Sequence, residues 1–320
     1  MLSEGGKTKA SALLNLQAIQ DRVDARQYEK SIVSTSRNFS AWCEDREIYT
    51  PFPIEFLSIG SYIVDKVSKL NGSSKSARRW VSHLRTFSLM QGFHWLNTAD
   101  ERRLQKVIQE LEFLDRNPTR RMMPLTKDIN SQILKNQEIP LPIKTCITIG
   151  REGILRGGEL CGLQRKHFIW SVQRDRVTLH LERTKTRRAG NGEFVSLKRH
   201  SQNSGVSILE EHFNKFNLWD ASAESVILPS FSKSKGINWS RSISMRQLRS
   251  SIRDSLNKIG INGDSYGAHS LRAGGATDLF RAGVYYPTIK KFGRWKTDAA
   301  LLYYRDQEQT TDIVMEAFSK

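Results

Sequence analysis

Residues 267–306 constrain this chain more than any other stretch, because a helical pattern there carries several side chains suited to one chemistry. His269 and Arg272 stand three residues apart at the start of the pattern, so their side chains share one helix face. A Gly-Arg-Trp turn then ends at Trp295, and Tyr304 follows nine residues later. A phenol near a planar cation, an imidazole and an indole N–H is suited to attacking a phosphate, with the tyrosine oxygen as the nucleophile.

Length and charge narrow the class of protein. The chain has 320 residues, which is typical of two domains, and its 38% hydrophobic content is enough for packed cores. Lys and Arg number 50 against 33 Asp and Glu, giving a formal net charge of +17. This excess predicts a polyanionic partner, most simply nucleic acid. A ribosome-associated or merely basic protein is the alternative, and net charge alone does not separate the two.

The cysteines and the hydropathy pattern indicate a reducing compartment and no membrane partner. Cys43, Cys146 and Cys161 are far apart and lack metal-like spacing, so we expect three buried free thiols. No apolar stretch approaches the roughly 18 residues that a membrane span needs. No N-terminal stretch has the pattern of a secretory signal.

The sequence predicts two domains joined by a short linker. Residues 1–116 are mostly helical in pattern after a polar N-terminal arm. Residues 117–124 lack periodicity and contain two prolines together with Arg120 and Arg121, which is typical of a basic linker. Residues 125–320 form the second domain. There, helices give way to period-two alternation at 168–172, 176–181 and 193–197, which predicts a small antiparallel sheet.

A helix predicted over residues 73–91 carries the clearest basic surface of the first domain. Its apolar stripe at helical spacing consists of Ala77, Trp80, Leu84 and Phe87. Its basic residues lie mostly off that stripe and are Lys75, Arg78, Arg79 and Arg85. We interpret them as DNA contacts, whereas the alternative is an ordinary solvated face.

The second domain resembles the tyrosine recombinases, the family of the phage integrases and Cre, over roughly residues 125–318. Residues 155–160, Leu-Arg-Gly-Gly-Glu-Leu, are similar to the first arginine motif of that family. The basic hairpin tip 183–188 is similar to the segment that bears its lysine. The His-x-x-Arg box and the Gly-Arg-Trp box follow in the family's order. The sequence around these two boxes is most similar to that of recombinases from eukaryotic mobile elements of the DIRS-like and Crypton-like kinds. The resemblance implies a catalytic set of Arg156, Glu159, Lys185, His269, Arg272, Trp295 and Tyr304.

The resemblance also implies a role for each member of that set. The two arginines grip the non-bridging phosphate oxygens through paired N–H donors, and Trp295 donates its indole N–H. His269 accepts the proton of Tyr304 or acts as a further donor. Lys185 protonates the departing 5′ oxygen. Glu159 holds His269 or an arginine in place.

Within this interpretation, some assignments remain open. Tyr303 directly precedes Tyr304, and a shift of one residue would present it instead. Lys185 lies close to two further basic residues, Arg187 and Arg188, which we predict to contact DNA. The tail after Tyr304 packs either on its own domain or on a neighbouring protomer.

For the whole protein, the resemblance implies a mainly α fold in which an all-helical DNA-binding domain and an α+β catalytic domain form a C-shaped clamp. It implies a 3′-phosphotyrosine intermediate with no metal and no cofactor. The expected partners are double-stranded DNA and an accessory DNA-bending protein. The expected assembly is a homotetramer on two DNA sites. The expected location is the nucleus in a eukaryote and the nucleoid otherwise. A type IB topoisomerase, a hairpin resolvase and an inactive DNA-binding regulator are the alternatives.

Overall fold

The computed structural model describes residues 28–69, 74–115, 122–182, 192–232 and 236–303. It divides the chain into two compact units, residues 1–119 and 120–320. The division falls inside the stretch that the sequence predicts as a linker, and each unit has a hydrophobic core of its own.

Four helices make up the described part of the first unit. They are α1 (Tyr28–Glu44), α2 (Phe56–Lys69), α3 (Ser74–Met90) and α4 (Thr98–Leu114). Apolar residues at helical spacing on each helix turn inward and form one core. Its fully buried members include Phe39, Tyr62, Leu84, Leu104 and Ile108. The amphipathic pattern of the sequence therefore explains which residues form the core of this unit.

Helices also dominate the second unit. They are α5 (Lys127–Lys135), α6 (Leu141–Glu152), α7 (Gly157–Cys161), α8 (Gly205–Lys215), α9 (Met245–Lys258), α10 (Ala268–Arg281) and α11 (Tyr286–Phe292). Short 3-10 helices occupy Arg165–His167, Gly263–Ser265 and Asp298–Tyr303. The prediction of a mainly α fold with a small antiparallel sheet is confirmed.

Two antiparallel sheets accompany these helices. Strands β1 (Phe168–Trp170), β2 (Arg176–Leu181) and β3 (Glu193–Lys198) pair in the order β1-β2-β3. The predicted strands are confirmed, although β1 is shorter than expected. A further hairpin of β4 (Pro229–Ser232) and β5 (Gly236–Ser242) was not predicted. Its alternation is weak because only Ile237 and Trp239 are apolar among the half-buried positions of β5.

Helix α10 forms the centre of the second unit and is buried along most of its length. A side-chain carbon at Gly274 would collide with the carbonyl oxygen of Leu125, and one at Gly275 would collide with that of Arg151. These two glycines therefore set how closely α10 approaches the segment before α5 and the end of α6. That approach fixes the position of the first turns of α10, which carry the predicted His269 and Arg272.

Two further expectations concern the membrane and the thiols. Among the described residues, no helix combines the length and apolar character needed to cross a bilayer. All three cysteines are free thiols, and Cys43 and Cys146 are buried as predicted. Cys161 is only half-buried, because it is the last residue of the short helix α7 and lies near the surface.

We predict that Gly274→Ala lowers the free energy of unfolding by about 2 kcal/mol or more, because the added methyl group forces two backbone segments apart. Gly158→Ala is the matched control, since nothing lies within 4 Å of a carbon added there. It sits in helix α7 and should stabilise by up to about 1 kcal/mol. Urea denaturation measures both, and equal effects would contradict the close approach of α10.

Candidate active site

The guanidinium of Arg272 is the most deeply buried charge of the site. Arg272 lies near the start of α10 and is only 3% exposed. Its Nη1 donates to the carbonyl oxygen of Ile154 at 2.5 Å, and its Nη2 donates to the carbonyl oxygen of Gly293. The ring of Trp295 covers one face, with its centroid 3.9 Å from the guanidinium carbon. This planar cation is therefore oriented by the protein itself.

A second guanidinium, that of Arg156, is held by the turn that starts helix α7. Arg156 is the N-cap residue, and Glu159 Oε2 accepts its backbone N–H at 2.7 Å. Glu159 Oε1 accepts the Nη1 of the same arginine, also at 2.7 Å. The carboxylate thus fixes both the backbone and the side chain of Arg156. Of the partners left open for Glu159, the structure places arginines against it.

Arg294 is a site residue to which the sequence analysis gave no role. Its side chain is 8% exposed, and its Nη2 donates to Glu159 Oε2 at 2.8 Å. Its Nε lies 3.3 Å from Oε2 of Glu193, the first residue of β3. Its carbonyl oxygen accepts Nη2 of Arg156 at 3.2 Å. Arg294 therefore connects the α7 turn, the β2–β3 hairpin and its own turn. Its place inside the Gly-Arg-Trp box was the signal that could have identified it.

Arg294 itself and Ile154, which contacts two of these arginines, adopt left-handed backbone conformations. Ile154 has a φ of 47° and Arg294 a φ of 58°. A β-branched residue such as Ile154 rarely adopts this region. The carbonyl oxygen of Ile154 accepts hydrogen bonds from both Arg272 and Arg294. Unfavourable conformations of this kind concentrate at functional sites, and here one of them presents an acceptor to two guanidinium groups.

Arg156, Arg272 and Arg294 form a guanidinium cluster. The two carboxylates in contact with it, Glu159 and Glu193, do not balance its positive charge. Burial lowers the pKa of Arg272 to about 9, and repulsion from Arg156 and Arg294 adds to the effect. Burial also lowers the pKa of Arg294, although the nearby Glu159 opposes that shift. Arg272 remains cationic at neutral pH. A bound anion would relieve both the desolvation and the mutual repulsion, so the cluster is suited to holding a phosphate.

A histidine and a tyrosine complete the arrangement. The hydroxyl of Tyr303 lies 2.5 Å from Nε2 of His269, which is the second residue of α10. The Tyr303 ring also packs against Trp295, with 5.7 Å between ring centroids. Tyr303 is 7% exposed and ends the 3-10 helix Asp298–Tyr303. The side chains of Tyr303, His269, Trp295 and Arg272 are therefore in contact with one another in a chain, and Tyr303 supplies the hydroxyl group.

The structure brings five of the predicted catalytic residues into this region of the second unit: Arg156, Glu159, His269, Arg272 and Trp295. The other predicted site residues of this unit and the linker lie outside the described residues. They are Lys185, Tyr304, Arg120, Arg121, Arg187 and Arg188.

The predicted DNA contacts on α3 differ in their surroundings. Arg78 forms a two-pronged pair with Glu112, at 2.5 and 2.6 Å, and Arg85 pairs with Glu101 at 2.6 Å. Both arginines are half exposed in these pairs, and Lys75 and Arg79 are exposed as well. The basic residues of α3 are exposed as expected, but Glu112 and Glu101 already neutralise the charges of Arg78 and Arg85.

Comparison with known proteins places this geometry in a family. The model of the phage integrase family matches residues 121–310. No curated protein matches the chain.

Among solved structures, the Tn1549 transposon integrase in complex with transposon right end DNA is similar at 15% identity and a TM-score of 0.59, covering 96% of this chain and 99% of that one. XerH bound to palindromic difH substrate, a post-cleavage complex, has 14% identity and a TM-score of 0.55, covering 85% and 74%. A lambda integrase dimer bound to a COC′ core site has 15% identity and a TM-score of 0.54, covering 93% and 77%. At these identities, the likeness shows a shared fold.

We predict that Arg294→Met lowers the free energy of unfolding by about 3 kcal/mol, because it leaves a buried carboxylate with one partner fewer. Combining it with Glu159→Gln should cost clearly less than the sum of the single substitutions, because the two side chains act as a pair. Urea denaturation measures each variant. Lys258→Met removes the exposed Lys258–Glu138 pair instead and should have a much smaller effect. Additive costs for Arg294 and Glu159 would contradict the pairing.

Proposed function

The chain belongs to the phage integrase family, the tyrosine recombinases, and on this basis we propose that it cleaves and rejoins DNA strands through a covalent 3′-phosphotyrosine link. One observation carries the proposal. A cluster of guanidinium groups with too little negative charge lies beside a tyrosine hydroxyl that contacts a histidine. That combination binds a phosphodiester and attacks it in the same place.

In the proposed reaction, a tyrosine hydroxyl from the adjacent Tyr303 and Tyr304 attacks the phosphorus, and the bond to the 5′ oxygen breaks. The hydroxyl proton passes to His269. The guanidinium groups of Arg156 and Arg272 stabilise the charge that develops on the non-bridging oxygens. The products are a 3′-phosphotyrosine and a free 5′ hydroxyl. Attack by a 5′ hydroxyl reverses the step, so rejoining needs no ATP, and the arginines provide the positive charge that a metal ion supplies elsewhere.

We propose Lys185 as the group that protonates the departing 5′ oxygen. Lys185 itself lies outside the described residues, but the hairpin that carries it has a defined stem. Strand β2 ends at Leu181, which pairs with Glu193 at the start of β3. Glu193 in turn contacts Arg294 in the guanidinium cluster. The base of the hairpin therefore lies at the site, which supports a role for a lysine beyond it.

Double-stranded DNA is the proposed partner. The net charge of +17 supplies affinity that is independent of sequence. The similar structures are complexes of a transposon integrase with transposon right end DNA, of XerH with a palindromic difH substrate and of a lambda integrase dimer with a COC′ core site. A homotetramer on two DNA sites, an accessory DNA-bending protein, a mobile-element origin and a nuclear or nucleoid location stay predictions of the resemblance.

A covalent trapping experiment tests the proposed function. Wild-type protein is incubated without metal on nicked suicide duplexes taken from the DNA that flanks the gene, and denaturing gels then report adducts. We expect an adduct resistant to detergent and chelator. Arg272→Lys should lower the cleavage rate at least ~100-fold, because a lysine cannot replace two parallel N–H donors, while duplex binding is retained. Tight binding by the wild type without any adduct would favour an inactive regulator instead.

The product of the reaction separates the remaining alternatives. Joined strands from two different sites indicate recombination. A relaxed circle or a hairpin end made from a single duplex indicates a topoisomerase or a resolvase.

The basic face of α3 is tested by the salt dependence of DNA binding. We predict that Arg79→Ala weakens binding and reduces the slope of log K against log salt by about 1, because one phosphate contact is lost. Arg78→Ala should have a smaller effect, since Arg78 is already paired with Glu112. Glu112→Gln should strengthen binding by releasing Arg78. Unchanged slopes in all three variants would assign this face to solvent.

A further inference from the structure

Tyr303 and Tyr304 are adjacent in the sequence, and Tyr303 is the one that the structure describes. The nine-residue spacing from Trp295 favours Tyr304, whereas the contacts of the site are made by Tyr303. We infer that Tyr303 supplies the attacking hydroxyl. This inference rests on the proposed strand-cleavage function and names which atom of the chain becomes bonded to DNA.

The hydroxyl of Tyr303 has the chemical surroundings that a nucleophile needs. His269 Nε2 lies 2.5 Å from it, which is the distance of a direct proton transfer. Beyond the effects of burial and of the neighbouring arginines and Glu159, a Tyr303 phenolate favours the charged form of Arg272 and so raises the pKa of Arg272. The buried Arg272 guanidinium and the Tyr303 oxygen are therefore electrostatically coupled.

Both ends of the 3-10 helix that carries Tyr303 are fixed. At its start, Asp298 accepts hydrogen bonds from Tyr286 at 2.7 Å and from Lys290 at 2.6 Å, both on α11. At its end, the hydroxyl of Thr277 on α10 donates to the carbonyl oxygen of Tyr303 at 3.2 Å. These contacts join the 3-10 helix to α11 and α10, and the hydrogen bonds to the Asp298 side chain favour one register relative to His269.

A shift of one residue, which would put Tyr304 in this place, carries a packing cost. Ala300 lies in the middle of the 3-10 helix and is completely buried. The shift would move Leu301, now 48% exposed, into the space that Ala300 fills. A leucine is three carbon atoms larger than an alanine, and closely packed interiors resist such additions. The shift would also put Ala299 in the place of Asp298 and so lose the hydrogen bonds from Tyr286 and Lys290, so the register that presents Tyr303 is favoured.

A bond forms between Tyr303 Oη and phosphorus while the bond from phosphorus to the 5′ oxygen breaks. The proton of Tyr303 moves to Nε2 of His269, and the 5′ oxygen leaves with a proton from the general acid. Charge and atoms are conserved, because the phosphodiester of DNA becomes a phosphodiester of tyrosine.

The test is to locate the DNA on the protein. A wild-type adduct formed on a nicked suicide duplex is digested with nuclease and trypsin, which releases residues 297–305 as one peptide that contains both tyrosines. Fragmentation in a mass spectrometer then assigns the nucleotide to one of them. We expect it on Tyr303. A nucleotide on Tyr304 would overturn the assignment while leaving the proposed function intact.

Two conservative variants provide a second, independent readout. Tyr303→Phe should reduce adduct formation at least ~10³-fold, because the nucleophilic oxygen is lost, while duplex binding is kept. Tyr304→Phe should form the adduct within about tenfold of the wild-type rate. The reverse pattern, with Tyr304→Phe inactive and Tyr303→Phe active, overturns the assignment. A wild-type protein that binds the duplex and forms no adduct overturns the proposed function and this inference together.

Discussion

The buried guanidinium of Arg272 is the interaction on which the rest of the site depends. Its two donors reach the carbonyl oxygens of Ile154 and Gly293, and its flat face lies on Trp295. The charge therefore joins the turn before α7, the start of α10 and the turn after α11. Burying a charge is costly unless its hydrogen bonds are satisfied, so any movement of these segments would expose an unsatisfied group. One side chain thus holds together the three segments that supply the site.

The same burial makes the site receptive to phosphate. The three guanidinium groups of the cluster repel one another. Burial is the main cause of the lowered pKa of Arg272, and repulsion from Arg156 and Arg294 lowers it further. Glu159 neutralises part of this charge and orients Arg156 and Arg294. The protein retains an electrostatic strain that its substrate would relieve. Preorganised charge of this kind costs stability in the free protein and contributes where negative charge develops during reaction.

Much of this site could be predicted from the sequence, because its strongest signals are local. His269 and Arg272 were expected on one face at the start of a helix, and α10 begins at Ala268. The pairing of Arg156 with Glu159 also follows from a three-residue spacing. The pairing of Arg294 with Glu159 could not be predicted, because it joins residues 135 positions apart. The β4–β5 hairpin was missed because its strands are largely polar.

The choice between Tyr303 and Tyr304 shows a different limit. Counting residues from Trp295 assumes a regular path, but the chain enters a 3-10 helix at Asp298. Successive side chains in a 3-10 helix point about 120° apart, so the residue that faces His269 depends on the register of this helix. That register depends on the hydrogen bonds of Asp298 and the burial of Ala300, and these are tertiary contacts. The spacing from Trp295 locates the segment that carries the tyrosines, whereas the contacts of Asp298 and Ala300 favour Tyr303.

We propose the guanidinium cluster of Arg156, Arg272 and Arg294 as the binding site for the reacting phosphate. The most direct measurement is a crystal structure of the protein with a cleaved duplex and vanadate, which adopts the geometry of a phosphoryl transition state. The account predicts that Arg156 and Arg272 each donate to equatorial vanadate oxygens, with a tyrosine oxygen in line. Vanadate bound elsewhere, with Arg272 still donating only to the carbonyl oxygens of Ile154 and Gly293, would contradict it.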